Sequence, residues 1–333
     1  DIQEVRAQAL WWLGRTLLEQ EKNEEAAQIL QNAVKEFEDH ELARKLLVTY
    51  GNALMAKSEY KKAAETFQKV SKRFADEPIA GEARRLRANA LHNIDEFEGS
   101  LRECNLYLEE YGSSSSSDVP VARIRFLKAE NLFFLERWEK ARAQYRAFVE
   151  DDENEYVAQS RFRLAQINVK KQNWREVSRV LRPLVDSVPE DDFFQEVRYL
   201  AGLAAHYNEN WREAVNLLET FVDNHPKNPH VNEALLRTGI SYANLGERNK
   251  AVASLKMLLE KDVAENLQSR GMLELGKLYY RQEKYPESAG ILEKLSAEFP
   301  DSADSSNGHY FLGWDYLELD QPEKALTQFK VVA

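Results

Sequence analysis

The chain has 333 residues, a net charge of −11, one cysteine, 13 glycines and nine prolines. An average chain of this length carries roughly 40 Gly and Pro together, so turn-formers are too scarce here for an all-β sandwich or barrel. The acidic balance weighs against nucleic acid as a partner, because phosphate contacts need clustered Lys and Arg.

No apolar run reaches the roughly 18 residues of a membrane span, so direct membrane insertion is not expected. No signal-peptide pattern opens the chain. The first residue is Asp1, not Met, which reads as a processed or partial chain. The lone Cys104 excludes an intrachain disulfide and any cysteine-built metal site.

In chain order, a small residue recurs in the middle of a helical pattern and is followed by a fixed set of neighbours. Gly14 leads to Ala26 and Leu30. Gly51 leads to Tyr60, Ala63 and Phe67, and Ala88 to Phe97, Ser100 and Cys104. An insertion follows, Gly112 and the five serines Ser113 to Ser117, a composition that supports no packed helix and reads as a flexible loop over 112–118. Ser117 or Asp118 is placed to cap the next helix, with Pro120 near its first turn. Ala129 then leads to Trp138, Ala141 and Tyr145. Ala165 leads to Trp174, Val177 and Leu181, with Pro183 expected to bend or shorten that second helix. Gly202 leads to Trp211, Ala214 and Leu218, and Gly239 to Ala251 and Leu255. Gly276 leads to Tyr285, Ser288 and Leu292, and Gly313 to Ala325 and Phe329.

The small residues are spaced 37, 37, 41, 36, 37, 37, 37 and 37 apart, one register from end to end. Apolar residues three and four positions either side of each anchor indicate two amphipathic helices per unit. Polar, Pro-bearing turns such as Asp76-Glu77-Pro78 and Asn224-His225-Pro226 separate the units. A single helix pair cannot bury its apolar face, whereas stacked pairs build one continuous core. The expected architecture is therefore all-α: about nine antiparallel helix pairs in a right-handed superhelical solenoid, with residues 1–333 as one repeat domain.

This pattern resembles the tetratricopeptide repeat, most closely at Tyr50-Gly51 with Tyr60, Ala63 and Phe67, and at Leu275-Gly276 with Tyr279, Tyr285, Leu292 and Pro300. The period of 37 exceeds the family's usual 34, and the extra length falls in the turns between repeats. Tyr285-Pro-Glu-Ser-Ala with Glu298-Phe-Pro-Asp-Ser, then Tyr310-Phe-Leu-Gly-Trp, looks like bacterial cell-envelope members such as the Tol-Pal adaptor and the lipoprotein of the outer-membrane barrel assembly machine. That narrower likeness implies a periplasmic or envelope setting, with a cytoplasmic scaffold as the alternative.

No catalytic constellation emerges. The six histidines are scattered, and neither H-E-x-x-H, a phosphate loop nor a dinucleotide fingerprint occurs. His225 and His230 share one loop, which a polar turn explains more simply than a metal. The acidic runs at 150–155 and 190–192 lack the ligand spacing of a calcium loop. No cofactor is expected. Cys104 sits at the large core position, so a buried thiol is the reading. Trp138, Trp174 and Trp211 share one core phase.

What remains is surface. By resemblance, the outward residues of each first helix line a concave groove that binds partners. Carried over by phase, the positions just after each anchor include Asn52, Asn89, Glu130 and Gln166. Those three before it include Trp11, Val48, Arg85, Phe126, Phe162, Tyr199 and Tyr310, and those one turn further on include Leu18, His92 and Phe133. The aromatic residues would form an apolar interaction patch unless helix packing buries them. The amides suit an extended peptide, and Arg85 and Arg123 suit a carboxylate. A full carboxylate clamp is incomplete, because Val48 and Leu127 stand where the family pattern has cations.

The reading is a non-enzymatic scaffold holding a protein or peptide segment. The alternatives are the targeting arm of an enzyme whose catalytic domain lies elsewhere, or a protein that self-assembles through its C-terminal edge, where the last repeat is incomplete and Val331 and Val332 are expected to be exposed.

Overall fold

The computed structural model describes residues 2–113, 120–151, 155–185 and 192–333. Among these residues all regular structure is helical, in eighteen α-helices that fall into two compact units, residues 1–160 and 161–333. The first unit contains α1 (Ile2–Glu19), α2 (Asn23–Glu36), α3 (Ala43–Ala56), α4 (Tyr60–Arg73), α5 (Pro78–His92), α6 (Phe97–Tyr111), α7 (Val121–Phe134) and α8 (Trp138–Glu150). The division falls within α9 (Val157–Lys170). The second unit continues with α10 (Trp174–Val185), α11 (Asp192–Tyr207), α12 (Trp211–Asn224), α13 (Val231–Asn244) and α14 (Arg248–Leu259), then α15 (Glu265–Tyr280), α16 (Tyr285–Glu298), α17 (Ala303–Glu318) and α18 (Pro322–Val332). Odd-numbered helices carry the anchors and even-numbered helices are their partners.

The periodicity acquires a steric meaning in the packing. A Cβ added to Gly51 would lie 2.4 Å from the Phe67 ring, and one added to Gly202 would lie 2.6 Å from Leu218. The anchor therefore marks the crossing of the two helices within one repeat, and the residue sixteen positions later fills the space a side chain would occupy. Ala88, Ala129 and Ala165 serve the same crossing and are fully buried.

Each first helix ends in the same way, and no glycine signals it. The seventh residue after the anchor has positive φ in every repeat: Glu21, Ser58, Asp95, Glu136, Gln172, Glu209, Gly246, Glu283 and Asp320. The next N–H reaches back five residues, as from Glu59 to the Leu54 carbonyl (2.9 Å) and from Asn210 to Ala205 (2.9 Å). This is the Schellman closure, which satisfies helix-end carbonyls and starts the return helix at once. Only the seventh repeat uses the residue type for which that conformation carries no Cβ penalty.

In two repeats the aromatic residue opening the second helix stacks onto the following repeat. Phe97 lies on Phe134 (ring centroids 4.9 Å apart, 10° between planes), and Trp174 lies on Tyr207 (4.2 Å, 14°). The turns between repeats at Phe37–Leu42 and His225–His230 are longer than any described turn within a repeat. α10 passes through Pro183, and Val185 is the last described residue of that segment. The proposed cap by Ser117 or Asp118 lies outside the described residues, as do most of the serine insertion and of the two acidic runs. α7 begins immediately after Pro120.

Candidate functional site

In the first unit the exposed face of α1, α3 and α5 encloses a hollow of about 500 Å³ lined by Trp11, Arg15, Leu18, Glu19, Lys45, Val48, Thr49, Asn52, Ile79 and Glu82. Trp11, Arg15, Leu18, Val48 and Asn52 hold phases that the repeat register assigns to the outward side of the first helices. Trp11 organises it. Its indole N–H donates to Thr49 Oγ1 (2.9 Å), and Thr49 in turn donates to the Lys45 carbonyl (2.8 Å). The Arg15 guanidinium and the Lys45 ammonium lie 5.3 and 4.8 Å from the Trp11 ring centre. Such cation–π contacts hold two long side chains in defined positions at an otherwise mobile surface. Arg15 and Lys45 share the lining with Glu19 and Glu82, so the rim offers both signs of charge around an indole and three aliphatic side chains.

Of the residues expected in the groove, Asn52 lines this hollow. Arg85 and Asn89 are half-buried on α5, and the Asn89 amide donates to the Arg85 carbonyl (2.9 Å), so part of its capacity is spent within the helix. Arg123 is exposed on α7. Packing closes off others. Tyr199 is 3% exposed, stacks on His230 (4.3 Å, 12°) and donates its hydroxyl to Glu233 (2.8 Å). Burial, with Glu233 beside it, raises its phenol above the ordinary range. Glu130 is buried and accepts the Tyr145 hydroxyl. Phe126 is half-buried, stacked on Tyr156 (4.6 Å, 17°) with Tyr145 and Phe148 at its edges. Phe133 meets Phe134 and Trp138, Phe162 meets Phe193, and Gln166 accepts from Arg163 (2.9 Å). Tyr310 remains 45% exposed. Trp11, Arg15, Leu18 and Val48 share the predicted phases; Lys45 and Glu82, a turn earlier, were missed because their charge reads as ordinary solvated surface.

Tetratricopeptide repeat models match residues 50–115 and 199–266, and again 8–40 and 270–302, together more than half of the chain. The chain belongs to the tetratricopeptide repeat family. The C-terminal part of a tetratricopeptide repeat-containing protein from Cytophaga hutchinsonii is similar in fold, with a TM-score of 0.60 at 14% identity, covering 78% of this chain and 98% of that one. Weaker structural similarity extends to MamA from Desulfovibrio magneticus (0.45, 19%, covering 53% and 92%). It extends also to YrrB, described as a tetratricopeptide protein with an unusual peptide-binding site (0.49, 19%, covering 61% and 95%). No curated protein matches the sequence.

Within the tetratricopeptide stack, successive repeats are joined by buried polar contacts. Asn131 donates to the Ser100 hydroxyl (2.8 Å), which donates to the Ala88 carbonyl (2.7 Å), while His92 Nδ1 lies 2.8 Å from Asn131 Oδ1. His206 and Ser241 form the equivalent contact in the second unit (2.8 Å), and burial lowers the His206 pKa to about 4. The corresponding position in the ninth repeat is Asp315, fully buried, with neither carboxylate oxygen meeting a hydrogen-bond partner among the described residues. Burial pushes its carboxyl up to about 6, an effect partly offset by neighbouring Ser288. Cys104 is fully buried, and desolvation pushes its thiol up to about 12. Among the described residues no group of three or more His, Cys, Asp or Glu side chains converges on a metal-sized site, and no helix is long and apolar enough to cross a membrane.

Proposed function

We propose that this tetratricopeptide protein is a non-enzymatic interaction scaffold that binds a protein or peptide segment along the exposed face of its first helices, centred on the hollow around Trp11, Thr49 and Asn52. The observation that carries this reading is the lining itself. Three successive odd-numbered helices contribute side chains, α1 and α3 sharing the phases of Trp11 with Val48 and of Arg15 with Asn52, and together they combine an indole, aliphatic floor residues, an amide and charges of both signs. An extended peptide needs that combination: apolar contact for its side chains and donors and acceptors for its backbone. The buried groups with displaced pKa values, Cys104, His206 and Asp315, are not among the residues that line the hollow, which supports recognition over chemistry there.

A photo-crosslinking residue placed at Asn52, with a second at Lys61 on α4 as control, tests the assignment. A partner adduct should form from position 52 and disappear when Arg15→Glu is added, with helicity unchanged. Equal adducts at both positions, or an adduct indifferent to Arg15→Glu, would place binding elsewhere.

A further inference from the structure

A second surface differs in chemistry from the hollow around Trp11. Between α2 and α4, over the start of α3, lies a groove of about 550 Å³ lined by Val34, Ala43 and Leu47 below and by Lys35, Lys69, Lys72, Arg73 and Glu38 at its rim. Its size is in the range of recognition pockets. The chain as a whole carries −11, yet four cations and one anion meet here. Arg73 is engaged by Asp39 (3.0 Å) and Glu38 (3.9 Å). Lys35, Lys69 and Lys72 are exposed and make no ion pair with any described residue.

Basic residues near helix C-termini stabilise the helix dipole, and that would be a sufficient account if every second helix needed them. They do not. α6, α8, α12 and α16 carry no basic residue in their last turns. Unpaired lysines around an aliphatic floor instead complement a segment that is apolar on one side and anionic on the other.

We infer that the α2–α4 groove docks an acidic amphipathic peptide segment of a protein partner, whose apolar side chains rest on Val34, Ala43 and Leu47 while its carboxylates meet Lys35, Lys69 and Lys72. An extended polyanion is a poorer fit. Three free cations bounded by Glu38 neutralise little of a nucleic acid or an anionic bilayer, and the strongly acidic remainder of the chain repels a large negative surface. A short acidic segment meets only the local charge, because interactions between exposed charges fade beyond a Debye length of about 8 Å at physiological salt.

The test uses the full chain and a fluorescein-labelled 16-residue peptide with Leu at helical i, i+3, i+4, i+7 spacing and Glu elsewhere, read by anisotropy. Binding should weaken at least tenfold in Lys69→Glu/Lys72→Glu, persist in Lys69→Arg/Lys72→Arg, and weaken as salt rises. It should be untouched by Arg15→Glu, which separates this groove from the hollow around Trp11. Three results would overturn the inference: equal binding by the double Glu variant, equal binding of a peptide with Lys in place of every Glu, or Lys69- and Lys72-dependent binding of phosphatidylserine vesicles without binding of the peptide.

Discussion

Replacing Asp315 by Asn should stabilise the protein at neutral and alkaline pH and have little effect in acid. The parent places a carboxylate where the fourth repeat has Asn131. In that repeat the amide of Asn131 donates to Ser100, whose own hydrogen goes to the Ala88 carbonyl. In the ninth repeat Ser288 already donates to the Gly276 carbonyl (3.0 Å), leaving only lone pairs for Asp315. An ionised carboxylate has no hydrogen to offer them; a protonated one does. Burial is the physical origin of a carboxyl raised from 3.8 to about 6, with neighbouring Ser288 offsetting only part of the effect. Between those values the folded protein holds a proton that the unfolded chain has released. Its contribution to stability is therefore complete below about pH 4, declines as pH rises through 6, and is absent above. A displacement of this size corresponds to about 3 kcal/mol at pH 8. Asn supplies the missing donor without the charge. The expected rise in melting temperature at pH 8 is on the order of 5–10 °C for a unit of this size, shrinking toward zero at pH 4. Circular dichroism melts at both pH values measure it, and amide exchange should show the added protection concentrated in α16 and α17. A variant that melts at or below the parent at pH 8, or an offset that is the same at both pH values, would refute the argument.

Gly202→Val should cost about 1–3 kcal/mol by overpacking the crossing with Leu218, visible as a lower urea midpoint; unchanged midpoints would mean that the anchor register is misassigned. Gly246→Ala meets no atom within 4 Å but must hold φ near +76°, so a loss of about 1 kcal/mol in chemical denaturation is expected from backbone strain alone. Cys104 should resist thiol-specific reagents at pH 8 until the first unit unfolds, because burial disfavours its thiolate; rapid labelling of the native protein would contradict its placement.

The helix pairs were legible because their cause is local and repeated. A residue with no side chain at one position and a bulky one sixteen later, as at Gly51 and Phe67 or Gly276 and Leu292, is a direct record of two helices crossing at close range. The left-handed residue ending each first helix left no such record, since Glu, Asp, Ser and Gln occupy it in eight repeats and read as ordinary polar turns. There the backbone closure, not side-chain identity, sets the geometry.

The candidate surface divides in the same way. Periodicity assigned Trp11, Val48 and Asn52 to one face, and they do line one hollow. It could not distinguish Tyr199 from Trp11, because both hold the same phase. What separates them is the path of a turn between repeats, which brings His230 onto the Tyr199 ring while the Trp11 ring meets Lys45 and Arg15. Helical phase is a property of each segment's own sequence. Whether a side chain on that phase stays open to a partner depends on atoms from the next repeat, some 30 to 40 residues away, and only the packed structure brings them together.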